Sequence, residues 1–150
     1  MLNPMPDFDE MHDFFTGFAS RVAKLEESAL SAGLDERVTL SEIHIIEKIG
    51  PEGSAKMGNV ARALGITLAT LTVACDRLEE KELIERRRDV QDKRTVCISL
   101  TPRGLIAYHF HEAFHQHLID VMMGELSEDE RTALRVGVRN LNRFLSDRKE

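Results

Sequence analysis

A chain of 150 residues with 42% hydrophobic content is long enough to bury a core of its own and suits a single domain. Aromatic residues make up only 5%, Trp is absent, and Leu, Ala, Ile, Val, Glu and Arg dominate, which disfavours a β-sandwich and predicts a mostly α fold. The formal net charge of -6 argues against a nucleic-acid binder unless the cations are concentrated in one place.

In chain order, Asp7 or Asp9 can cap a first helix in which Phe14, Phe18, Val22, Leu25 and Ala29 form one apolar stripe, with Gly33 as its stop. Thr39 followed three residues later by Glu42 predicts a capping box opening a second helix, closed by Gly50-Pro51. Pro51 to Ser54 reads as a turn. A short helix over Met57 to Leu64, a break at Gly65 and a longer helix from Thr67 to about Lys81 follow. The period then changes. Val96, Ile98 and Leu100 alternate with Cys97 and Ser99 as a half-buried strand, paired in a hairpin with Ile84 to Arg88. Thr101-Pro102 starts a further helix running to about Met123. Ser127 with Glu130 forms a second capping box, opening a last helix whose Leu134, Val138, Leu141 and Leu145 make a narrow seam that needs a partner.

No apolar run reaches the ~20 residues of a membrane helix and the N-terminus is acidic, so a cytoplasmic protein is expected. Cys75 and Cys97 lack any metal or disulfide spacing and read as core thiols. Enzyme motifs (a P-loop, GxGxxG, GxSxG, HExxH) do not occur, which points away from an enzyme.

The segment Val60 to Thr67, followed by Leu71 and Ala74, fits a helix-turn-helix. Ala61 permits a close crossing, Gly65 suits the left-handed turn, and Val60, Leu64, Ile66, Leu71 and Leu78 would fill the space between the helices. From Arg86 to Arg103 the stretch that follows carries Arg86, Arg87, Arg88, Lys93, Arg94 and Arg103 against only Asp89 and Asp92, a basic wing in an acidic protein.

With Leu78-Glu79-Glu80-Lys81, Leu83-Ile84-Glu85-Arg86, Asp92-Lys93-Arg94 and Leu100-Thr101-Pro102-Arg103-Gly104, the chain resembles the MarR family of bacterial transcriptional regulators over nearly its whole length. The resemblance implies a winged helix-turn-helix lobe (37–101) between dimerisation helices (1–36 and 102–150). It also implies a triangular homodimer that binds a palindromic operator on double-stranded DNA, most often as a repressor. By the same likeness Arg94 matches the wing arginine that enters the minor groove and Asp92 the acid that orients it. Thr67, Leu68, Thr70 and Thr72 are candidates for base or phosphate contact, and Arg62 and Arg77 for phosphate contact. Thr95 stands where many relatives carry a second basic residue.

His111 and His115 have the i, i+4 spacing that places two imidazoles on one helix face, inward by periodicity; dimer-core histidines satisfied by hydrogen bonds are the plainer reading. Zinc-responsive members of the family hold metal through Glu and His of the first, second and fifth helices, and the matching positions are Glu26 (or its neighbour Glu27), His44, His111 and His115. A second resemblance, through Ile66 to Thr72, is to the branch that represses fatty-acid synthesis genes and answers to acyl chains. Its apolar ligand would lie near Phe14, Phe18, Ile45, Phe110 and Phe114. A protein-protein adaptor and a metal-dependent enzyme are the alternative classes of function.

Overall fold

The computed structural model describes residues 8–34 and 38–147, so Asp7 lies outside it. Among the described residues six helices and one small sheet succeed each other as α1 (Phe8–Gly33), α2 (Leu40–Ile49), β1 (Ala55–Lys56), α3 (Met57–Leu64), α4 (Leu68–Glu80), β2 (Ile84–Arg88), β3 (Val96–Leu100), α5 (Pro102–Met123) and α6 (Glu128–Ser146). This is the winged helix-turn-helix expected from the sequence. The chain divides into two compact units, Met1–Phe114 and His115–Glu150, with the division inside α5.

The local signals act as expected. Thr39 Oγ1 accepts from Glu42 N–H while Glu42 Oε2 accepts from Thr39 N–H at 2.8 Å, closing the capping box of α2. Gly65 ends α3 in the left-handed region at φ 66°, where a Cβ would be strained. With Thr67 capping α4, the two helices meet at 108°, within the usual range for this motif. Between them Val60, Ala61, Leu71 and Leu78 are buried, and Leu64 and Ile66 pack partly buried against them.

The core of the first unit continues through Ile43, Ile46, Cys75, Leu83, Ile84 and Ile98, all buried. In the sheet β3 is central, antiparallel to β2 (Ile84↔Leu100 through Arg88↔Val96) and to β1 (Ala55↔Ile98, Lys56↔Cys97). The two-residue strand β1 does not emerge from the sequence, because two residues carry no period.

Two glycines mark close approaches. A Cβ on Gly33 would stand 2.2 Å from Phe110 Cε2, so this residue, read as a helix stop, also makes room for an aromatic ring. A Cβ on Gly104 would stand 1.9 Å from the carbonyl oxygen of Leu83. The glycine of the Thr101-Pro102-Arg103-Gly104 turn thus lets α5 press onto the backbone ahead of β2.

In the second unit α6 opens with Ser127 and Glu130 in a capping box, Ser127 N–H donating to Glu130 at 2.8 Å. No residue of α6 is buried, and on its seam Val138, Leu141 and Leu145 are 46%, 40% and 55% exposed, with Leu134 half-buried. On α1, Phe8, Phe14, Phe15 and Phe18 are likewise exposed, Phe14 and Phe18 with ring centroids 4.6 Å apart.

Candidate functional site

Helix α4 buries Leu71, Cys75 and Leu78 and turns Leu68, Ala69, Thr70, Val73, Asp76 and Arg77 outward. At its start Thr67 Oγ1 accepts from Thr70 N–H at 3.1 Å, and the two threonine hydroxyls are 2.8 Å apart. The Thr72 hydroxyl donates to Leu68 O at 2.8 Å, a bond within the helix. Among the described residues Arg62, on α3, reaches only Asn59, at 3.4 Å, and both it and Arg77 are exposed.

The wing tip is a built loop. Asp89 Oδ1 accepts from the N–H groups of Gln91 (2.7 Å) and Asp92 (3.3 Å), and these bonds hold its carboxyl below the ordinary range. Asp92 accepts from Arg94 N–H at 3.0 Å and from the Thr95 hydroxyl at 3.0 Å. Asp92 therefore fixes Arg94 through its backbone, and the guanidinium stays exposed with no ion pair among the described residues. Thr95 thereby helps to close the loop. Lys93 is exposed and lends its carbonyl to Arg88 at 3.0 Å, while Arg87 meets Glu85 at 3.1 Å.

Arg86 behaves differently from the other wing cations. Its Nε donates to Glu79 at 2.8 Å, its Nη2 to Asp76 at 2.6 Å, and its backbone N–H to Glu79 at 3.0 Å. Those contacts raise the Arg86 pKa further, and the bond from Arg86 is the main reason that Glu79 lies below the usual carboxylate range. Arg86 thus fastens the wing to α4, and its charge is already met within the chain.

Leu68, Thr72, Lys56, Asn59, Arg94 and Val96 line one groove of about 370 Å³, so α4 and the wing share a single concave surface. Lys56 is not marked out by any pattern in the sequence. Its place on β1, beside Cys97, brings it there.

A second cluster lies where α1, α2 and α5 meet. Glu26 is 4% exposed and His111 4%, their side chains joined through Oε1 and Nε2, and His44 Nε2 lies 3.7 Å from the same carboxylate oxygen. Glu26 thus faces both imidazoles, while its neighbour Glu27 is exposed. His115 follows His111 by one turn of α5 and is exposed, whereas His111 is buried. A carboxylate oxygen facing two imidazole nitrogens is a donor set that suits zinc, although the Glu26–His111 pair would have to open for an ion to enter. Of the apolar-ligand candidates, Ile45 belongs to the buried core and Phe110 packs partly buried against it.

Glu42 reaches across 39 positions of sequence to Lys81 Nζ, at 2.8 and 2.7 Å. Burial pushes the Glu42 carboxyl up, and Lys81 with the Thr39 N–H more than offsets it, leaving the pKa below its ordinary value. The cap of α2 and the end of α4 are thereby one unit. Cys75 is fully buried, which pushes its thiol up to about 11 and keeps it protonated and inert at neutral pH.

The model of the MarR family matches residues 38–96. The crystal structure of Streptococcus pneumoniae FabT in complex with DNA has a TM-score of 0.85 and 31% identity, covering 95% of this chain and 100% of that one. The HTH-type transcriptional repressor MdtR of Bacillus subtilis is 25% identical over 120 residues, 80% of this chain and 77% of MdtR. The transcriptional regulator ZitR of Lactococcus lactis is 29% identical over 122 residues, 79% of this chain and 83% of ZitR.

Proposed function

Since this chain belongs to the MarR family, we propose that it is a transcriptional repressor that binds a palindromic DNA operator as a homodimer, with no catalytic activity, in the cytoplasm. The observation that carries the reading is the shared groove of α4 and the wing, with Arg94 held out on a fixed loop. Cations gathered there in a chain of net charge -6 match a polyanion met on one face only. FabT, similar along its whole length, is bound to DNA in its crystal structure. No single helix among the described residues is long and apolar enough to cross a membrane. For the homodimer, the exposed seam Leu134, Val138, Leu141 and Leu145 on α6 and the exposed phenylalanines of α1 offer apolar surface to a second copy.

Thr67, Leu68, Thr70 and Thr72 would meet base edges or phosphates, and Arg62, Arg77, Arg87, Arg88 and Lys93 the backbone. Arg94→Ala tests the reading. Binding to duplex DNA should weaken across sequences and the slope of log affinity against log salt should flatten by about two, one for each Arg94 of the dimer. An unchanged affinity and slope would remove the wing from the interface.

For the effector, the Glu26–His44–His111 cluster favours zinc over an acyl chain, with His115 as the fourth ligand expected from the sequence. Zinc there would bind carboxylate and imidazoles from α1, α2 and α5 and so favour one arrangement of these helices, shifting the population that fits DNA. Protein purified without chelator or affinity tag should hold about one zinc per chain, and His111→Ala and His115→Ala should each lose it. Wild-type protein that takes up no added zinc would return the effector to the apolar class.

A further inference from the structure

We infer that α4 selects its operator by apolar contact with thymine 5-methyl groups, with Leu68 and Val73 as the specificity-determining side chains. The inference rests on the DNA-binding reading and deepens it.

The exposed positions of α4 include Leu68, Ala69, Thr70, Val73, Asp76 and Arg77, with Thr72 half-buried at their edge, while Leu71, Cys75 and Leu78 are sealed in the core. Leu68 and Val73 are each 53% exposed. The helix contains no Asn, Gln or Lys, and its one Arg, Arg77, enters only in the last turn. The polar groups that do stand on this side are largely engaged within the chain. Thr72 commits its only hydroxyl hydrogen to Leu68 O, the hydroxyls of Thr67 and Thr70 pair with each other, and Asp76 is bound by Arg86.

Guanine and adenine are read in the major groove by bidentate Arg, Lys, Asn or Gln, and the first turns of α4 supply none of these. What remains legible to an apolar side chain is the methyl group that thymine alone projects there. The placement agrees with this. Leu68 and Thr72 lie in the same groove as Lys56 and Arg94, so cations for phosphate flank an apolar strip at the level of the bases.

The test uses duplexes enriched by the wild-type protein from a random-sequence pool, rebuilt with deoxyuridine in place of thymine. This substitution deletes the methyl and leaves every Watson–Crick bond intact. Affinity should fall by about fourfold for each contacted methyl, and about sixteenfold for two in one half-site. Placing 5-methylcytosine at a cytosine should be tolerated better where it restores a methyl to the same strip. Leu68→Ala and Val73→Ala should each shrink the thymine-over-uracil ratio. Enriched duplexes whose uracil forms bind as well as the thymine forms would overturn the inference while leaving DNA binding intact. Failure to retain any duplex at low salt would instead overturn the DNA-binding reading, and the inference with it.

Discussion

Gly104→Ala should destabilise the protein by about 3 kcal/mol, a fall in Tm of about 6–12 °C for a chain of this size. A methyl at this position meets the Leu83 carbonyl oxygen at 1.9 Å, and that oxygen is backbone and cannot rotate away. The same oxygen accepts from Thr101 N–H at 3.1 Å, and Thr101 Oγ1 accepts from Gly104 N–H at 3.0 Å, so any shift of α5 breaks the turn that positions it. Gly58→Ala is the control. It lies in α3 with nothing within 4 Å of an added Cβ, and should be neutral or gain up to about 1 kcal/mol from helix propensity. Urea unfolding of both variants checks the pair, and equal stabilities would mean that α5 does not press on Leu83 as described.

Lys81→Met should cost about 3 kcal/mol at neutral pH, because it leaves the Glu42 carboxylate, whose side chain is 6% exposed, buried without its cation. The sign of the pH dependence separates this cause from lost packing. In the wild type the Glu42 pKa is depressed on folding, so its contribution is complete above the unfolded carboxylate value of about 4.3 and is lost as pH falls through the lower folded value. In Lys81→Met burial remains while the cation is gone, so the folded carboxyl takes up its proton more readily. The stability difference between the two proteins should therefore narrow on acidification through the carboxylate range. A difference that stays constant from neutral to acid would assign the loss to packing of the lysine stem. Since Thr39, Glu42 and Lys81 join the start of α2 to the end of α4, the variant should also loosen the recognition helix.

Such links mark the limit of what the sequence carries. Capping boxes at Thr39/Glu42 and Ser127/Glu130, the left-handed Gly65 and the alternation of Val96, Ile98 and Leu100 are written within a few residues of each other, and the structure has them where the sequence places them. The pairing of Glu42 with Lys81 spans 39 positions, and no local pattern distinguishes a capping carboxylate from one that also holds a distant amine. Arg86 shows the same limit from the other side. In sequence it is one of three consecutive arginines on a basic wing, and only the packing of β2 against α4 brings Glu79 and Asp76 onto it. The choice between Glu26 and Glu27 turns on a single residue of helical register, which the crossing of α1 with α2 and α5 decides. Lys56 goes unmarked because the strand that carries it is two residues long.

The central claim is that the surface shared by α4 and the wing binds DNA, and salt-dependent binding of the wild-type protein to a duplex tests it most directly. The account predicts tight binding at low salt, two chains per duplex, and an affinity that drops steeply as salt rises because several phosphates are neutralised at once. A folded protein that fails to bind any duplex at low salt, or binds with an affinity indifferent to salt, would contradict it and favour a protein-protein adaptor.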